Sequence, residues 1–194
     1  MVNPSLAAKT LPEFISYAKA NPGRINMASA GIGSSSQLAG ELFKEMAGID
    51  MTHIPYRGGG PAIVNLLGGQ VDVFFSPMAI AVAHIRAGKL RALATTGAAR
   101  SDALPEIPTV SEFVPGFETN YWIGLGAPKS TPAEIIGKLN REINMALADP
   151  GLRSRFTDLG GSVVGGSPDE FAKLVSDETD KWSRVVRAAH IKAE

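Results

Sequence analysis

Ser34, Ser35 and Ser36 follow two glycines and precede Gln37 in the stretch Ala28-Ser29-Ala30-Gly31-Ile32-Gly33-Ser34-Ser35-Ser36-Gln37-Leu38. Hydroxyls beside a glycine turn can donate hydrogen bonds to an anion, or one of them can act as a nucleophile when a base is within reach. The nucleophile reading lacks its parts. A Gly-x-Ser-x-Gly elbow is matched only in its first half by Gly33-Ser34-Ser35-Ser36-Gln37, and no histidine lies near these serines in sequence. The donor reading has support on both flanks. Ile25-Asn26-Met27 alternates like a short strand, while Leu38, Leu42 and Met46 recur at the four-residue spacing of one helix face. Ser34 with Gln37 three positions on makes a capping-box signature, so a helix start is expected there. Free N–H groups at such a start, backed by the positive end of the helix dipole, favour a carboxylate or phosphate by roughly 0.3 to 1 kcal/mol. The same residues also suit a tight turn that caps a helix and binds nothing.

Nucleotide chemistry does not fit. A dinucleotide fingerprint needs a third glycine where Ser36 stands, and an acid where the strand Thr52 to Tyr56 ends in Arg57. The Gly-Lys pairs, Gly88-Lys89 and Gly137-Lys138, are each followed by leucine and so make no Walker A loop. His53, His84 and His190 have no partner at metal-ligand spacing. His53 is placed within a strand and His84 on a helix of alanines and valines, where packing or surface roles are expected. Asp72, between Val71 and Val73, is expected on the polar edge of a sheet. Arg57, before Gly58-Gly59-Gly60, suits a bidentate carboxylate clamp and equally a solvated side chain. The glycine triplet reads as a turn from which Pro61 starts a helix.

Size and charge bound the class. The 194 residues can bury a sizeable core in one large domain or two lobes. The 19 basic and 19 acidic residues cancel, against a nucleic-acid surface. No apolar run reaches the ~20 residues needed to span a bilayer, so a soluble chain is expected. Cysteine is absent, which removes disulfides, thiol catalysis and zinc-thiolate sites, and no cofactor motif is present. Met1-Val2-Asn3-Pro4 opens directly onto a helix start, without the charged segment and apolar run of a signal peptide.

The elements that must position the serine loop alternate in type. Strand-length apolar runs cover Ile25 to Ser29, Thr52 to Tyr56, Val71 to Ser76, Leu90 to Thr96 and Trp122 to Ala127. Helix starts are signalled by Thr10 with Glu13, Ser34 with Gln37, Thr131 with Glu134, and Ser167 with Glu170; Pro132 and Pro168 suit first helical positions, and Gly48 and Gly160 suit helix ends. Pro132 to Ala148 carries a stripe of Ile135, Leu139, Ile143 and Leu147, and about Pro168 to His190 carries one interrupted by Glu178. This alternation predicts an α/β fold with a largely parallel sheet covered on both faces. Ligands in such sheets sit beyond the carboxyl ends of the strands, which selects the loops at Ala30 to Ser36, Arg57 to Pro61, Ser76 to Met78, Thr96 to Ala98 and Ala127 to Ser130. Arg100 to Asn120, with Pro105, Pro108, Pro115 and Gly116, reads as an irregular connection.

Several motifs then fall into one order: Val2-Asn3-Pro4-Ser5-Leu6, Ala20-Asn21-Pro22-Gly23, Ala30-Gly31-Ile32-Gly33-Ser34-Ser35, His53-Ile54-Pro55-Tyr56-Arg57-Gly58-Gly59, Leu67-Gly68-Gly69-Gln70-Val71-Asp72, Ala87-Gly88-Lys89-Leu90-Arg91-Ala92-Leu93-Ala94, Leu104-Pro105-Glu106-Ile107-Pro108-Thr109-Val110 and Ala127-Pro128. With them the chain resembles the substrate-binding proteins of tripartite tricarboxylate transporters, the Bug family of periplasmic receptors. The resemblance implies a type II periplasmic-binding-protein fold, with residues 1–118 a complete ligand-binding lobe and 119–194 the C-terminal part of the other lobe. It implies a non-enzymatic receptor that binds a small di- or tricarboxylate in the periplasm and delivers it to membrane components of the transporter. The implied site is Ser29, Gly31, Gly33, Ser34, Ser35, Ser36 and Gln37, with Ser76 on the Ser76 to Met78 loop.

The facing loop of the family's first lobe has no counterpart in this sequence. Weak binding is therefore expected, together with a homodimer through residues 119–194 that covers the Trp122 to Ala127 strand. A non-transport sensing domain of the same fold is the first alternative, and would be marked by a neighbouring DNA-binding segment. A small α/β hydrolase or transferase is the second, and would need a base within ~3 Å of one of Ser34 to Ser36.

Overall fold

The computed structural model describes residues 1–192. Three strands, β1 (Asn26–Ser29), β2 (Thr52–Pro55) and β3 (Val73–Phe74), form a parallel sheet in the order β2-β1-β3. Met27 pairs with His53 on one side and Val73 on the other, and Ala28 with Ile54 and Phe74. Side chains alternate between sheet faces, and so do the two cores. Met27 and Val73 join Phe14, Phe43, Val110 and Phe117 on one face; Ala28 and Phe74 join Ala62, Ile63, Leu66 and Leu90 on the other. The first face is covered by α1 (Leu11–Ala20) and α2 (Ser35–Ala47), the second by α3 (Gly59–Leu67). Phe43 of α2 is the hub of the first core, with ring centroids 6.3 Å from Phe14, 5.5 Å from Phe75 and 5.8 Å from Phe117 in an edge-on contact.

Of the expected α2 stripe, Leu38 is buried and Leu42 packs half-buried against the first core, whereas Met46 is exposed. Ser36, Gln37, Ala39, Gly40, Phe43 and Ala47 are buried as well, so the buried face extends beyond that stripe. A Cβ at Gly40 would overlap the end of the Met27 side chain, so glycine there lets the helix lie close to β1 with Met27 in its present rotamer. A hydrophobicity pattern is blind to such a contact.

One expected strand is reduced to isolated bridges. In the Leu90 to Thr96 run, Arg91 pairs with Val2 and Thr95 with Thr109. Val2 lies antiparallel between Val73 and Arg91. Prolines stop both ladders: Pro4 follows Val2 closely, and Pro108, without an N–H, offers only its carbonyl to Thr95 at 2.8 Å. The Val71 to Ser76 run pairs only at Val73 and Phe74, because Asp72 turns its carboxylate to the Asn26 N–H at 2.7 Å and Pro77 ends the segment. Trp122 to Ala127 makes no strand. No described segment pairs with it, and every residue from 120 to 130 is exposed.

Further departures are local. The helix after the glycine triplet starts at Gly59, not Pro61, because Gly58 takes φ +110° as its cap. At the next signal, Pro132 is extended at ψ 142° and caps α5 (Ala133–Ala148) itself, so Thr131 and Glu134 form no box. The helix whose end Gly160 signals is α6 (Pro150–Asp158); its start, which no signal marked, is capped by Asp149, whose carboxylate accepts from the Leu152 N–H at 2.8 Å. Inside the irregular connection, Thr109 and Glu112 form a complete capping box around a short 3-10 turn at Val110–Glu112. Between β3 and this turn lies α4 (Met78–Arg86), and the last helix is α7 (Pro168–Ala188), which carries the expected Ser167–Glu170 box. Beyond Thr119, Val185 alone among the described hydrophobic residues is buried; Ile123, Leu125, Ile135, Leu139 and Met145 are exposed.

Candidate ligand-binding site

The candidate loop leaves the carboxyl end of the central strand β1 and enters α2. Gly31 and Gly33 take φ +136° and +73°, which L side chains rarely adopt, and a Cβ on Gly31 would press on the Tyr56 carbonyl at 3.3 Å. The loop is tied to the chain after β2 by Tyr56 N–H to the Ser29 carbonyl and Gly58 N–H to the Ala30 carbonyl, both 3.0 Å. Arg57, between these two anchors, is exposed.

Most of the expected site residues bond to one another. Ser36 Oγ accepts from the Ala30 N–H at 2.9 Å and lies 3.0 Å from Ser34 Oγ, which donates to the Gly31 carbonyl at 2.6 Å. Ser29 Oγ accepts from the Gly31 N–H at 3.2 Å and reaches the Gly31 carbonyl at 3.1 Å. Gln37 Oε1 accepts from the Gly33 N–H at 2.7 Å. The capping box is thus displaced by one residue: Ser34 caps the Gln37 N–H at 3.4 Å, but Gln37 reaches past Ser34 to Gly33. The α1 start repeats the arrangement, with Glu13 accepting from Lys9 instead of Thr10.

What remains available to a ligand is narrower than the whole loop. Among the described residues no acceptor engages the N–H groups of Ser35 and Ser36 or the Ser35 hydroxyl, and Ser35 is exposed. These donors stand at the N-terminus of a 13-residue helix. Ser35 and Leu38 line a cleft of about 200 Å3 with Asn120, Tyr121, Trp122, Glu178 and Trp182. Trp122 is held edge-on to Phe171 at 5.7 Å, and Glu178 accepts from the Trp182 indole N–H at 2.7 Å. That bond explains the one polar interruption in the α7 stripe. It also gives the cleft an acidic wall, against which the helix-start donors must prevail for an anion to bind. Ser76, two residues past β3, is half-buried and donates to the Pro77 carbonyl at 3.1 Å.

His53 is the residue the sequence did not connect to this loop. Its ring lies 2.6 Å from Ser29 Oγ through Nε2 and 3.2 Å from Gln37 Nε2 through Nδ1. The parallel register makes the link: His53 stands beside Met27, so it shares a sheet face with Ser29 two residues on. Burial holds its pKa below the ordinary 6.5, with Glu41 opposing and Lys44 reinforcing that shift. Among the described residues no cluster of acidic and imidazole side chains is arranged for a metal ion.

Residues 1–191 match the model of the tripartite tricarboxylate transporter family receptors. Protein BugT of Bordetella pertussis is 39% identical over 188 residues, which cover 96% of this chain and 58% of that protein. Among solved structures, a Rhodopseudomonas palustris protein with adipate superposes with TM-score 0.93 at 34% identity, over 98% of this chain and 64% of the other. The periplasmic binding protein BugD gives 0.91 at 32%, over 100% and 66%. MatC from Rhodopseudomonas palustris with bound malate gives 0.86 at 36%, over 95% and 64%. The chain spans 54% to 58% of the length of the first curated relatives it matches.

Proposed function

The chain belongs to the tripartite tricarboxylate transporter receptor family, and from that premise we propose that it binds a small organic di- or tricarboxylate at the N-terminus of α2 and delivers it, in the periplasm, to membrane components of such a transporter. The observation that carries the binding reading is the pair of unengaged N–H groups of Ser35 and Ser36, beside the free Ser35 hydroxyl at the mouth of the Trp122 cleft. A carboxylate oxygen accepting from both N–H groups gains charge-assisted bonds worth about 1.5–3 kcal/mol each and the dipole term of a long helix. The two related structures with adipate and malate support the ligand class. The Ser76 to Met78 loop on the neighbouring strand supplies further contacts in this reading.

These donors form a single clamp, so affinity in about the millimolar range is the expectation. Calorimetry against C4 to C6 dicarboxylates, with adipate and malate among them, tests the proposal. Heats that saturate, and that shrink in Ser35→Pro, which removes one of the two N–H groups at a position where a helix tolerates proline, support it. No heat with any member of the panel overturns it. We further propose that a second copy of the chain covers the apolar surface of residues 119 to 192.

A further inference from the structure

We propose that His53 is a positioning residue of the binding loop: through the Gln37 amide it decides whether the Gly33 N–H is occupied or free to meet an anion. The inference deepens the carboxylate-binding reading and rests on it for its functional meaning. Its structural content follows from donor and acceptor chemistry alone.

The Gly33 N–H can only donate, so the Gln37 atom 2.7 Å away must be its carbonyl oxygen. The amide nitrogen is then the atom 3.2 Å from His53 Nδ1, and because it can only donate, Nδ1 must accept. A neutral imidazole accepting at Nδ1 carries its proton on Nε2. That proton goes to Ser29 Oγ at 2.6 Å, and the Ser29 hydroxyl passes its own to the Gly31 carbonyl at 3.1 Å. One tautomer therefore satisfies every donor from Gly33 round to Gly31. The two glycines with left-handed backbone are held from opposite ends of the same relay.

Protonated His53 cannot keep this pattern. With hydrogens on both nitrogens, Nδ1–H faces the Gln37 NH2, and donor meets donor. Rotation of the amide by half a turn relieves that contact and withdraws the acceptor from Gly33, whose N–H then points unpaired from an exposed position. The charged groups acting on the ring are Glu41 and Lys44 of α2, themselves paired at 2.9 Å; β1 contributes Ser29 and no charge, and β2 no other ionisable group.

Two-dimensional NMR of the 15N-labelled chain without ligand tests this. At pH 7.5 the long-range ring correlations are expected to show the Nε2–H tautomer. As pH falls, the Gly33 amide resonance is expected to move with the His53 midpoint and its hydrogen-exchange protection to drop about tenfold. Gln37→Glu keeps an acceptor for Gly33 but offers His53 a carboxylate, so the ring midpoint is expected to rise by at least one pH unit. An Nδ1–H tautomer, a Gly33 amide indifferent to the His53 titration, or an unmoved midpoint in Gln37→Glu overturns the proposal. None of these readouts uses a ligand. Failure of adipate to bind in calorimetry would remove the carboxylate reading and leave the relay standing.

Discussion

Ser35 and Ser36 are neighbours of the same type with opposite work. Ser36 is buried, and its hydroxyl accepts the Ala30 N–H at 2.9 Å; Ser35 is exposed and its hydroxyl has no protein partner among the described residues. Ser36→Ala leaves a backbone N–H without its acceptor in a closed loop, a loss of about 1–3 kcal/mol readable as a lower urea midpoint. Ser35→Ala leaves that midpoint within about 0.5 kcal/mol of the parent and instead weakens carboxylate binding about fivefold in calorimetry, by the loss of one neutral hydrogen bond of about 1 kcal/mol. Equal loss of stability in the two variants would show that Ser35 has an internal role. The sequence placed the loop, its glycines and its helix correctly as a unit. It did not separate hydroxyls that hold the loop from the one that faces outward, because that depends on how a three-residue turn folds back on itself.

His53 carries a pH dependence whose sign is fixed. Its folded pKa is held below the unfolded value of 6.5 by burial, so between the two the unfolded chain binds the proton more readily. The contribution is fully present above pH 6.5 and is lost as pH falls from there through the folded pKa. Urea unfolding at pH 7.5, 6.5 and 5.5 is expected to show falling stability across this window, and His53→Gln to flatten that part of the profile. A parent protein equally stable at all three values would refute the assignment. The histidine was legible as a strand residue. Its involvement in a loop 24 residues away was not, since only the β1-β2 register brings the two together.

At the scale of elements, the site depends on how closely α2 lies on β1. A Cβ on Gly40 would meet Met27 and Phe75, and Met27 is fully buried, so the thioether has little room to swing aside. Gly40→Val pushes the helix off the strand at a cost of about 1–3 kcal/mol of overpacking and moves the Ser35 and Ser36 N–H groups relative to the loop. Chemical denaturation should show the loss and calorimetry a weaker carboxylate heat; an unchanged urea midpoint would mean that Met27 repacks freely. The α/β alternation, four helices flanking β1, β2 and β3, and the caps at Thr10, Ser34 and Ser167 were readable because each is a local pattern of three to four residues. The strands Leu90 to Thr96 and Trp122 to Ala127 were not, because an apolar run becomes a strand only where a neighbour completes its ladder.

At the scale of the molecule, charge and packing are distributed unevenly. Residues up to Phe117 build two cores on the faces of one sheet, whereas α5 has no buried residue and α7 has only Val185. Ile123 and Val164 are 82% exposed, Leu125 71% and Met145 69%, and the backbone of Trp122 to Ala127 has no ladder partner among the described residues. Apolar side chains and unpaired backbone side by side form a surface that associates. With 19 basic and 19 acidic residues the chain carries no net charge to keep copies apart. We therefore expect a homodimer centred on this surface, a two-fold contact in which Trp122 to Ala127 pairs with its copy and the Ser29 to Gln37 loop stays outside. Analytical ultracentrifugation is expected to show a dimer at tens of micromolar. The double variant Ile123→Lys with Leu125→Lys, both at solvent-facing positions, is expected to shift it to monomer while the calorimetric response to adipate is retained. A parent protein that sediments as a monomer at every concentration and still unfolds in one sharp transition would sink the dimer, since the surface would then be stable uncovered.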